Sequence, residues 1–180
     1  LSAIRRALIG TVPEALADDS AVSLGVVRQG YRLVFEPRAT VNETVTSSPP
    51  KEFGRRVRST ERGWRSLMYF ADLMNPFRHG LYAIQLISHK LLRRLTPFLV
   101  LLIMVSGLGL ADRGMAYLVV SLTLLALICI GVLGFAFQDR LPKLFAVPVF
   151  FVVMSAAMML GVLNAMTGRR TVTWSPARSG

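Results

Sequence analysis

Two adjacent aspartates, Asp18 and Asp19, are the residues whose type and spacing most readily suggest chemistry. A carboxylate held at the mouth of an α/β sheet can take the proton of an attacking hydroxyl, which is the work of a general base. A helix N-terminus keeps such a group ionised at neutral pH. The same pair also suits the start of a helix, where carboxylates accept the orphan N–H groups of the first turn. A second set is cationic. Arg55, Arg58, Arg62 and Arg65 recur at i, i+3, i+7 and i+10 and therefore share one face of a helix. A basic amphipathic helix of that kind suits a membrane headgroup boundary. The remaining candidates are bland. His79 and His89 have no carboxylate or second ligand beside them that would suggest zinc, and Cys129 is a lone cysteine inside an apolar run. No Asp-x-Asp occurs.

The elements that must position these residues follow from periodicity and punctuation. SAIRRALIG reads as a strand end running into a short helix. A helix is expected from the aspartates to Gly30, a suitable C′ residue, with Val22, Val26 and Val27 as its apolar positions. YRLVFEP alternates, with Tyr31, Leu33 and Phe35 on one side and Pro37 as the stop. It predicts a short strand, and ATVNETV a second. A helix followed by a strand points to an α/β fragment over residues 1–48, although the strands are too few for a complete sheet. Ser48 and Pro49 then open a long helix to about Asp72, with Phe53, Val57, Trp64 and Met68 along one side. NPFRHG breaks it, and GLYAIQLISHKLLRR forms a second amphipathic helix. Residues 49–94 are thus a pair of interfacial helices.

Three apolar runs follow, at 95–111, 115–137 and 144–166, with a basic tail over 169–180. About 20 helical residues cross a hydrocarbon core, so about three transmembrane helices are expected. The composition agrees, with 53% hydrophobic residues and a mean hydropathy of +0.50. The net charge of +11 is concentrated at +7 in residues 1–94. Beside membrane spans, a basic surface faces anionic lipid headgroups. No nucleic-acid motif accompanies the charge, so nucleic acid is not an expected partner. Lys90, Arg93 and Arg94 place the start of the first run in the cytoplasm. Three crossings would then put Arg169, Arg170 and Arg178 outside, against the positive-inside rule. A re-entrant or interfacial third run is one way out, and an unrecognised crossing is another.

The segments taken in order carry a resemblance. ADDSAVSL is followed by QGYRLVFEP, KEFGRRVR, SHKLLRRLTP, the apolar runs and a Trp-x-x-x-Arg tail. This order resembles the C-terminal half of membrane-embedded family 2 glycosyltransferases, which include cellulose, hyaluronan and poly-N-acetylglucosamine synthases. The likeness spans nearly the whole chain. It implies the acceptor side of a GT-A catalytic domain on the cytoplasmic face of the inner membrane. The family's Thr/Glu-Asp motif falls on Asp18 and Asp19. Asp19 would be the base that deprotonates the acceptor hydroxyl for inverting attack on a nucleotide-sugar. The acceptor is a glycan or a lipid-linked acceptor. The segment from Ser2 to Arg6, including Arg5, would lie on the acceptor side. The Gln-x-x-Arg-Trp motif falls on RRVRS, where Arg58 matches and Arg55 replaces Gln. Ser59 replaces the Trp that holds acceptor sugar, which weighs against processive polymer export. Arg58 would contact the leaving diphosphate, because guanidinium forks match phosphate oxygens. Trp174 and Arg178 would reach the site from a cytoplasmic tail. The Mg²⁺ or Mn²⁺ expected of the family has no Asp-x-Asp here. The expectation is therefore a fragment, inactive alone, with a donor-binding half upstream of Leu1.

A reading from another class is a non-catalytic membrane anchor or subunit that docks on anionic lipid or a partner through its basic helix. It explains the arginine face and the apolar runs, but leaves ADDSAVSLGVVRQGYRLVFEP without a purpose.

Overall fold

The computed structural model describes residues 3–40, 49–136 and 146–169. After a single 3₁₀ turn at Arg6–Leu8 come α1 (Asp18–Arg28), α2 (Pro49–Tyr69) and the short α3 (Pro76–His79). A continuous rod follows. It consists of α4 (Leu81–Leu86), a π-helical stretch over Ile87–Leu92, and α5 (Arg93–Gly109). Last come α6 (Met115–Ala136) and α7 (Ala146–Met166).

The expected α/β fragment is not what forms: among the described residues the chain is helical and has no strand. YRLVFEP is irregular and lies outside the core, with Val34 87% and Phe35 86% exposed. A strand needs a neighbour to take its backbone hydrogen bonds. Alternation alone supplied none among the described residues. ATVNETV lies largely in residues 41–48, outside the described residues, as does the proposed cap Ser48. The helix expected before the strand is correct, and Gly30 ends it at φ 86°, a conformation that favours glycine.

α1 packs on the C-terminal half of α2. Leu16, Ala21, Leu24, Leu67, Phe70, Leu73 and Leu86 form one buried cluster that joins α1, α2 and α4. Arg28 closes its edge, paired with Asp72 at 3.0 Å and lying over the Phe70 ring. Three helices, Leu81–Gly109, Met115–Phe135 and Val147–Met166, are long and apolar enough to cross a membrane, as the three runs predict. Their outward apolar side chains suit lipid contact.

Glycines mark where these helices touch. Gly107 of α5 lies against Ser121 and the Tyr117 carbonyl of α6, which fixes an antiparallel hairpin. Twelve helical residues rise about 18 Å, so Gly131 of α6 returns to the Arg93–Arg94 end of α5. There Gly131 meets Val152 and the Pro148 carbonyl of α7. Further along α7, Gly161 abuts the Val57 carbonyl and Thr60 of α2. In turn Gly63 of α2 abuts the Arg94 guanidinium. Arg65 of α2 donates to the Arg169 carbonyl at 2.6 Å, just past α7. Both ends of α7 are thus tied to the basic end of the hairpin. Arg113 sits at the other end. Arg169 therefore lies beside α2, whose Gly63 meets Arg94.

Candidate functional site

The first turn of α1 is held against α2 mostly by backbone. Arg62 donates through Nε to the Leu16 carbonyl at 2.9 Å, and its Nη2 also contacts that oxygen. The Ser66 hydroxyl accepts from the Ala17 N–H at 3.0 Å and donates to the Arg62 carbonyl, one turn back on its own helix. Leu16 itself is buried in the core cluster. These contacts set the entry to α1, so the two carboxylates that follow are delivered to the arginine face of α2. Asp18 adds an ion pair to Arg62 at 3.4 Å, but its side chain is 79% exposed. Such a pair stabilises by less than about 1 kcal/mol. The carboxylates are therefore positioned by their neighbours and are not consumed in holding the fold.

The result is an open cleft of about 330 Å³ lined by Asp18, Asp19, Arg55, Arg58, Ser59 and Arg62. Residues from α1 and α2 meet there, Asp18 and Arg62 being 44 positions apart in sequence. The four candidates Asp18, Asp19, Arg55 and Arg58 all line it. Neither aspartate is the N-cap, however. Ala17 holds that position, and Asp18 and Asp19 occupy the first helical turn, where negative charge complements the helix dipole. Asp19 Oδ1 accepts from the neighbouring Ser20 N–H at 2.7 Å.

The cations differ in how far they are engaged. Arg55 is bidentate to Glu52, with bonds of 2.7 and 3.0 Å. Hydrogen bonds from Arg55 and then Arg56 hold the Glu52 carboxyl down to about 2. Arg62 is spent on the Leu16 carbonyl and Asp18. Arg58 makes no hydrogen bond or ion pair with the described residues. It is half-buried beside the carboxylates with its donors unspent.

The arginine row does not simply face solvent or headgroups, as periodicity alone suggests. Arg65 pairs at 3.0 Å with Glu61, which is 2% exposed, and also reaches Arg169. Arg5 is exposed at the 3₁₀ turn and does not line the cleft. Ser2, Trp174 and Arg178 lie outside the described residues. Sequence reasoning passed over Glu61, although its i, i+4 spacing to Arg65 is a visible ion-pair signal. It also passed over Ser66, for which no local signal exists, since its partner is 49 residues away.

A divalent cation does not fit these residues. Asp18 is paired with the Arg62 guanidinium, Asp19 shares the cleft with the arginines, and no cluster of three His, Cys, Asp or Glu side chains suited to a metal occurs among the described residues. Compared with known protein families, characterised proteins and solved structures, the chain has no match.

Proposed function

We propose that the chain is the membrane-embedded, carboxylate-bearing part of an inverting glycosyltransferase, working at the cytoplasmic face of an inner membrane. One observation supports this most: the Asp18–Asp19 turn and the uncommitted Arg58 share one open cleft. In this role Asp19 removes the proton of an acceptor hydroxyl as that oxygen attacks the anomeric carbon of a nucleotide-sugar. The bond to the nucleoside diphosphate breaks on the opposite side, and configuration inverts. Arg58 meets the charge that develops on the departing diphosphate. Electrostatic stabilisation of this kind acts where charge appears in the transition state. Asp18, partly neutralised by Arg62, limits the repulsion between adjacent carboxylates. A Mg²⁺ or Mn²⁺ ion in such an enzyme would need ligands other than these residues, so no step is routed through one. The acceptor is a glycan or a lipid-linked hydroxyl.

The test is Asp19→Asn in the intact enzyme, the chain together with its donor-binding part, in membranes supplied with a panel of labelled nucleotide-sugars. Transfer should fall about 10²–10⁴-fold, the usual contribution of a general base, with membrane insertion unchanged. Transfer at the wild-type rate would remove Asp19 from the chemistry and leave the anchor role as the better account.

A further inference from the structure

A second cavity, of about 450 Å³, shares Ser59 with the aspartate cleft. Its polar wall is cationic. Arg56 comes from α2, Lys90 from the π-helical stretch, and Arg93 and Arg94 from the start of α5. No carboxylate among the described residues lines it. Ser20, Ser59 and Thr60 add hydroxyl groups. The opposite wall is apolar and belongs to α7: Phe150, Met154 and Met158.

The charges are only partly compensated, and Asp19 in the neighbouring cleft is near enough to favour charge on Lys90. Arg56 is paired with Glu52 at 2.8 Å. Lys90, Arg93 and Arg94 have no ion pair among the described residues. Arg94 spends one N–H on the Lys90 carbonyl at 2.8 Å, and its guanidinium rests on Gly63. Lys90 and Arg94 are half-buried and stand at i, i+4, where like charges repel. A helix that gathers three such groups at one cavity is less stable for it unless an anion neutralises them. The π-helical stretch adds a second sign, since such distortions recur at functional sites. The place in the fold specifies the anion further. The cavity sits at the basic start of the apolar rod, and Phe150, Met154 and Met158 line it together with the cations.

We propose that this cavity binds the phosphate of an anionic membrane lipid, with the acyl chain laid along Phe150, Met154 and Met158. Phosphate is the chemistry that the arginines and hydroxyls recognise. The apolar wall selects the lipid-borne form over a soluble one. A bound lipid would also brace α2 against α5 and α7 next to the aspartate cleft.

Native mass spectrometry tests this on the full chain, extracted in detergent and offered phosphatidylglycerol and phosphatidylcholine in equal amounts. The wild-type protein should retain one phosphatidylglycerol in preference to phosphatidylcholine. Lys90→Gln with Arg93→Gln should lose that preference, by roughly fivefold for each cation removed. The exposed pair Arg32→Ala with Arg78→Ala, outside the cavity, should keep it. Circular dichroism checks that the variants fold. If the double variant does not, Arg93→Gln alone decides, because Arg93 is exposed and makes no ion pair among the described residues. Equal retention of the two lipids by the wild type would overturn the proposal, as would undiminished preference in the folded variant. Displacement of phosphatidylglycerol by inorganic phosphate or glycerol phosphate at equal concentration would also overturn it, by making a soluble phosphate the ligand.

Discussion

Replacing Gly161 by Ala probes the contact on which the arrangement of α2 and α7 depends. A Cβ there would stand 2.7 Å from the Val57 carbonyl oxygen and 2.7 Å from the Thr60 Cβ. A backbone carbonyl cannot rotate away, so α2 must retreat from α7 along its length. Ala157, one turn earlier, is fully buried, so small residues allow the close approach over more than one turn. Overpacking of this kind costs about 1–3 kcal/mol. Alanine also gains up to about 1 kcal/mol over glycine within a helix, which would mask part of the loss. Gly54→Ala in α2 supplies the reference, because an added Cβ there meets nothing within 4 Å. The difference between the two variants cancels the helix-propensity gain and leaves the packing cost. For a chain of this size, that difference corresponds to a Tm gap of roughly 2–12 °C, with Gly161→Ala the lower. Thermal unfolding followed by far-ultraviolet circular dichroism in a single detergent measures it. Equal Tm values would show that α2 and α7 do not meet at Gly161, and the position of Arg169 would lose its support.

Other consequences follow from particular side chains. Arg62→Met keeps much of the stem but removes the donors to Leu16 and Asp18. It should cost about 1–3 kcal/mol through the unsatisfied carbonyl, and limited proteolysis should then cut within residues 9–17 faster than in the wild type. Unchanged proteolysis would show that Arg62 does not hold the first turn of α1. In a Cys129→Ser background, cysteines placed at Arg94 and Arg169 should react with a membrane-impermeant maleimide from the same side of sealed vesicles, and one at Arg113 from the other. Labelling of positions 94 and 169 from opposite sides would mean that α7 is a full crossing.

Much of the helical framework was legible because its signals are local. The start of α2 at Pro49, the break at NPFRHG and the three apolar runs follow from proline, glycine and hydropathy. The stretch YRLVFEP failed as a strand because alternation states only which side chains share a face, not whether a partner strand exists. Asp18 and Asp19 could be singled out by type, and the arginine row by spacing. Their meeting in one cleft depends on Arg62 and Ser66 gripping the backbone of Leu16 and Ala17, across 46 and 49 residues. No periodicity encodes such a contact. The cationic cavity was hidden for the same reason: Lys90, Arg93 and Arg94 look like a positive-inside flank until α7 brings Phe150 and Met154 opposite them.

The proposed division of labour between Asp19 and Arg58 is tested most directly by steady-state transfer kinetics of two variants of the intact enzyme, the chain together with its donor-binding part. Asp19→Asn should lower kcat and leave the KM for the nucleotide-sugar unchanged, since a general base acts on the acceptor hydroxyl. Arg58→Ala should lower kcat/KM by roughly 10–150-fold, the worth of about 1.5–3 kcal/mol for a hydrogen bond to a charged group. Inhibition by free nucleoside diphosphate should weaken with it. An Arg58→Ala protein that keeps its kcat/KM and its product inhibition would contradict the assignment of this cleft to sugar transfer.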